Sequence, residues 1–204
     1  MKTKILSIVA IAAIVLGIST STYASTKDSA AKDAEISTVL TNVSNINKIE
    51  IYGNVEVYLS DGNTDQVKVY NRYYAESALV QSQKGVLRIS SYSAQKLVVW
   101  ITANDLRSLS VYDNATVKSF GKLSPIELNV DLHNNASAQL NLDAYSANVT
   151  VADHAKADLS GTATEFSLNH GIATSVNKYN FTAAHYNEKT NSQAKATAED
   201  LAGL

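Results

Sequence analysis

The sequence predicts an all-β solenoid with rungs of about 20 residues, and three observations carry that expectation. Short runs after Asn45 alternate apolar and polar residues, the two-residue period of a half-buried strand. A nine-residue phrase recurs along the chain. Proline occurs once, at Pro125, and long helical periodicity is hard to find.

In chain order, the first element is not part of the fold. Lys2 and Lys4 precede an apolar run from Ile5 to Ile18 and a polar stretch ending at Tyr23-Ala24-Ser25. That is the order of a secretory signal peptide, residues 1–24, with cleavage expected after Ala24. The rival reading is an uncleaved anchor, but the apolar run is short of the roughly 17–25 residues that a membrane span needs. No cysteine is present, so a lipid anchor on cysteine, a disulfide framework and a thiol nucleophile are all excluded. Residues 25–44 are rich in Ser, Thr, Ala and Asp and read as a flexible leader.

The strands begin with IEIYGNVEV (49–57), where alternation turns Ile49, Ile51, Val55 and Val57 to one face. QVKVY (66–70), GVLRIS (85–90) and KLVVWI (96–101) follow. The last is apolar on both faces, Leu97, Val99 and Ile101 against Val98 and Trp100. A strand of that kind is expected to be covered on both sides, by the chain's own N-terminal strands or by a second molecule. That leaves a homo-oligomer open.

The phrase returns at LSVYDNATV (109–117), VDLHNNASA (130–138), VTVADHAKA (149–157) and FSLNHGIAT (166–174), with starts 21, 19 and 17 residues apart. Its centre is a polar pair followed by a mostly small residue: Gly53-Asn54, Asp113-Asn114, Asn134-Asn135, Asp153-His154 and His170-Gly171. Gly, Asn and Asp tolerate left-handed backbone, so each pair marks a corner. The residues after it, Val55, Ala115, Ala136, Ala155 and Ile172, are expected to face a narrow interior. A two-sheet sandwich with accidentally similar hairpins is the competing architecture. Residues 186–204 lack the phrase and read as a tail or a polar end cap.

These segments, from IEIYGNVEVYLSDG through GVLRIS and ITANDLRSLSVYDNATV to the polar-polar-Ala corners, resemble the bacterial family of autotransporter-adhesin head domains, the head GIN domain. The resemblance covers residues 45–185, although corners that are often Gly-Ser-Gly in the family are Asp-Asn-Ala and similar triplets here. It implies a right-handed β-helix-like fold, an exported protein that is periplasmic, secreted or at the cell surface, and adhesin-like contact. It supplies no catalytic residues.

Chemistry is hard to find in the residues themselves. The chain has 17 basic and 19 acidic residues, and removing Lys2 and Lys4 with the signal leaves a net charge of −4. Only Arg72, Arg88 and Arg107 are arginines, so neither nucleic acid nor an anionic membrane has a basic footprint to bind. His133, His154, His170 and His185 lack metal-ligand spacing and read as exposed corner histidines, so no metal or cofactor is expected. Asp113 and Asp153 share a corner column two rungs apart, roughly 9.6 Å, near the wide end of the separation in inverting glycosidases. A column of Asx residues is equally what corners require, so the expectation is a protein that is not an enzyme, with a polysaccharide-active β-helix as the rival.

Tyrosine crowds the first half, at Tyr52, Tyr58, Tyr70, Tyr73, Tyr74, Tyr92 and Tyr112. By alternation Tyr52, Tyr58 and Tyr70 face outward. With Trp100 they form the candidate contact surface, for a glycan or an envelope protein. The plainer reading is that tyrosine suits half-exposed pleated surfaces. A structural or assembly component of the envelope is the remaining alternative.

Overall fold

The computed structural model describes residues 37–40, 43, 45–70, 78–171 and 175–191. The chain divides into two units, Met1–Ala34 and Glu35–Leu204. The first, with the expected signal peptide, lies outside the described residues, as do Arg72, Tyr73, Tyr74 and Ile172.

The second unit is all β. Its strands are β1 (Ser37–Leu40), β2 (Lys48–Gly53), β3 (Val55–Asp61), β4 (Gln66–Tyr70), β5 (Ala78–Gln83), β6 (Val86–Ser91) and β7 (Leu97–Ala103). Then come β8 (Ser108–Val111), β9 (Thr116–Ser119), β10 (Glu127–Leu132), β11 (Ser137–Val151), β12 (Lys156–His170) and β13 (Val176–Thr190). β1 lies inside the segment read as a leader, and β13 runs past residue 185.

The expected right-handed β-helix solenoid, with rungs of about 20 residues, is corrected by the strand order. The strands form one mixed 13-stranded sheet, β1-β4-β7-β3-β9-β11-β10-β8-β2-β6-β5, with β12 and β13 added beyond β11. It curls as a half-barrel. Ile49 of β2 is in register with Leu109 of β8 on one side and with Leu87 of β6 on the other, so neighbours are not successive turns of the chain. β4 pairs antiparallel with both β1 and β7, and β5 pairs antiparallel with β6. The phrase specifies which face each strand buries and where the chain turns. It does not specify which strand lies alongside.

The curl gives two wings. One contains β5, β6, β2, β8 and β10, and the other β1, β4, β7, β3 and β9. β11 joins them, because its N-terminal half pairs with β9 and its C-terminal half with β10. This continuity also rules out the two-sheet sandwich. Alternate residues of both wings point inward into one apolar cluster, including Ile49, Ile51, Val57, Leu59, Leu109, Val117 and Leu140.

The corner residues do what their chemistry allows. Gly53, Asp113, Asn134 and Asp153 all have left-handed backbone, with φ of 82°, 60°, 59° and 56°. Ala115, Ala136 and Ala155 after them are fully buried. The side chains of three corner residues also tie neighbouring corners together. Gly53 N–H donates to Asp113 Oδ2 at 3.0 Å, Asp113 N–H to Asn134 Oδ1 at 3.2 Å, and Asn134 N–H to Asp153 Oδ2 at 2.9 Å.

The copy at 166–174 has to be moved. Aligned on the phrase, Leu168 would sit beside Val151, but the observed partner of Val151 is His170, and Leu168 pairs with Val149. A slip of two residues preserves the inward-outward alternation, so alternation could not detect it.

Candidate functional site

The four residues of the candidate contact surface divide between the wings. Tyr52 is on the outer face of the β2 wing, where its ring stacks on Tyr112 at 4.7 Å and 3°, and Tyr112 stacks on His133 at 4.9 Å and 6°. The strand register explains the ladder, since these residues follow the aligned pairs Ile51, Val111 and Leu132. Tyr112, in the middle of the ladder, has both ring faces covered, and Tyr52 at its end has one.

Tyr58, Tyr70 and Trp100 share the outer face of the β3 wing. Tyr58 of β3 is directly opposite Trp100 of β7, and Trp100 is directly opposite Lys68 of β4. The Tyr58 and Trp100 rings are 4.8 Å apart and inclined by 22°, and Phe120 leans on Trp100 at 5.2 Å. Tyr70 is in register with Val98, one position along the same face. Trp100 is 36 % exposed and Phe120 62 %.

Of the two covers expected for β7, the chain's own strands supply none for its second face among the described residues. Its inner face, Leu97, Val99 and Ile101, is fully buried, but Val98 is only half-buried and Trp100 is open. Sideways contacts with Tyr58 and Phe120 shelter the indole in place of an overlying layer.

Polar groups frame these rings. Lys118 of β9 is the register neighbour of Tyr58, with its ammonium 5.6 Å from the ring centre. Lys118 also donates to Glu56 Oε1 at 2.7 Å, and Lys96 stands 3.8 Å from the other carboxylate oxygen. The Lys118 hydrogen bond is the largest influence holding the Glu56 carboxyl below its ordinary range. Phe120, Lys68 and Lys118 were not singled out by sequence reasoning. Alternation from Val67, Val69 and Val117 turns both lysines outward, but only the strand order brings them to Trp100.

The histidines are corrected in part. His154 is exposed at its corner, and His133 is half-buried in the ring ladder. His185 is exposed and pairs with Glu165 at 2.8 Å. His170 is not an exposed corner residue. It occupies an inward position, 3 % exposed, with Nε2 2.7 Å from Glu188 Oε1. Glu188 also accepts from Lys178 at 2.6 Å and from Tyr186 at 2.6 Å, and these bonds, Lys178 first, bring its carboxyl down to about 2. This network spans inward positions of the last strand, where polar groups close the end of an apolar stack. Among the described residues no His, Cys, Asp and Glu groups gather into a metal site.

Asp113 and Asp153 each accept a backbone N–H from the adjacent corner, a structural use of both carboxylates. Asp113→Asn keeps an acceptor and a residue at home in left-handed backbone, so its melting temperature should stay close to wild type. Asp113→Ala loses both and should cost about 1–2 kcal/mol. Equal melting of the two variants would show that the corner ladder contributes nothing.

The chain belongs to the family described as "Putative auto-transporter adhesin, head GIN domain", whose model matches residues 45–201. It is similar in structure to a "putative adhesin" from Bacteroides fragilis, with a TM-score of 0.64, 19 % identity and 76 % of each chain covered. A "putative lipid binding protein" from Parabacteroides distasonis has a TM-score of 0.59 at 8 % identity, covering 75 % of this chain and 77 % of its own. A "putative adhesin" from the same species has a TM-score of 0.58 at 13 % identity, covering 76 % and 77 %. At these identities the likeness is one of fold. No curated protein matches the chain.

Proposed function

We propose that this chain is an exported, non-catalytic contact domain that binds a glycan or an envelope protein through the outer face of its β3 wing. The observation that carries the reading is the open Tyr58–Trp100–Phe120 group on that face. An aromatic group left to water in an otherwise regular alternation has a cost that a binding role would explain. Export is supported by the family's auto-transporter adhesin description and by the basic and apolar order of residues 2–18. The polysaccharide-cleaving alternative is weakened by the engagement of Asp113 and Asp153 in holding corners.

Trp100→Ala separates contact from folding. Because the indole is sheltered only from the side, its removal should cost about 1–2 kcal/mol of stability, far from the roughly 3–5 kcal/mol of a core aromatic. On arrays of glycans and envelope proteins it should abolish, or weaken by about 30-fold, whichever interaction the wild type shows. Wild-type binding by a folded Trp100→Ala variant would overturn the assignment of this face.

A further inference from the structure

We infer that the contact face is selective for carboxylate-bearing saccharides, with Trp100 as the stacking platform and Lys68 as the carboxylate ligand; the inference rests on the contact reading above. The register places Lys68, Trp100, Tyr58 and Lys118 in one row across β4, β7, β3 and β9. With strands about 4.8 Å apart, the two lysines stand roughly 14 Å from each other at the row's ends. Tyr58 covers the indole on the β3 side, Lys68 is its register neighbour on the β4 side, and a ligand ring would use the part of the indole that stays exposed.

The two lysines differ in a way that identifies the ligand-facing one. Lys118 is committed to Glu56, whereas the Lys68 ammonium has no hydrogen-bond or ion-pair partner among the described residues. Lys96 and Lys118 flank one carboxylate, Glu56, and Lys68 stands two strands away opposite Trp100, so among the described residues this face gathers three ammonium groups around one carboxylate in a chain whose net charge is −2. That charge calls for an anionic partner.

A saccharide fits better than an acidic protein. The apolar C–H face of a pyranose matches one exposed ring face, while a protein interface needs a desolvated apolar centre with about 800 Å² buried per partner. Around Trp100 the outer face carries hydroxyl and amide side chains, Gln66, Ser60, Thr102 and Thr116, suited to sugar hydroxyls. A peptide laid on this face would also find no strand edge to pair with, because β3 and β7 are paired on both sides.

The test titrates the full chain with oligogalacturonate, oligomannuronate, hyaluronan oligosaccharides and oligosialic acid. Each is compared with its carboxyl methyl ester, and poly-L-glutamate serves as the acidic non-saccharide. At least one acidic saccharide should bind, with esterification weakening it about tenfold, the effect of losing one charge-assisted hydrogen bond. Lys68→Gln should weaken the acid form equally and leave the ester unchanged, and Lys68→Arg should restore binding. The inference is overturned if none of the four acids binds, if acid and ester bind alike, if Lys68→Gln matches wild type, or if poly-L-glutamate equals the best saccharide at equal carboxylate concentration. Binding to a neutral glycan or a protein that is lost in Trp100→Ala but indifferent to Lys68 would remove the acid selectivity and leave the contact function standing. If no binding of any kind depends on Trp100, both fall.

Discussion

Gly161→Ala is expected to destabilise the domain by about 2–5 kcal/mol. Gly161 lies inside β12 with φ of +97°, and a Cβ built there would sit 2.0 Å from the carbonyl oxygen of Leu142 on β11. Two costs therefore add. Left-handed backbone disfavours any Cβ by about 1–2 kcal/mol, and the overlap must be relieved by parting two strands, at about 1–3 kcal/mol more. Gly121 separates the two, since its φ of +85° imposes the same backbone cost while a Cβ there would meet nothing within 4 Å. Urea unfolding should show the larger loss for Gly161→Ala with an unchanged slope. Equal losses at the two positions would mean that β11 and β12 do not approach so closely.

The second large effect is expected at Leu109. It is fully buried and stands between Ile49 of β2 and Val130 of β10, at the junction that places the 49–57 phrase beside its later copies. Leu109→Ala should cost about 2–5 kcal/mol through lost burial and the cavity left behind. Leu79→Ala on the outermost strand β5, where the side chain is 50 % exposed, should stay within about 0.5 kcal/mol. A Leu109→Ala variant as stable as Leu79→Ala would remove β8 from the interior of the sheet.

How much of this was legible depended on how local the information is. Which residues of IEIYGNVEV point inward follows from a two-residue period, and Asp113, Asn134 and Asp153 turn the chain because of their own backbone preferences. These are properties of single residues and neighbours. That β2 lies between β8 and β6, or that β4 returns antiparallel onto β7, depends on pairings between distant segments that leave no local trace. The same limit hid the contact row: Lys68, Trp100, Tyr58 and Lys118 are each outward by alternation, yet they meet only through the strand order. His170 was misplaced because an even-numbered slip leaves every side chain on its expected face. One of the two covers expected for Trp100, the chain's own strands, is missing among the described residues, where rings on neighbouring strands shelter the indole from the side.

The account turns on one side chain being folded in place and open to solvent, and Trp100 is the chain's single tryptophan, so its fluorescence reports that site alone. In the folded protein the emission should be red-shifted relative to a buried indole and quenched by iodide, and a bound ligand should suppress the quenching. Blue-shifted emission that iodide does not reach, in protein that is folded and free of ligand, would place Trp100 under cover and contradict an open contact face.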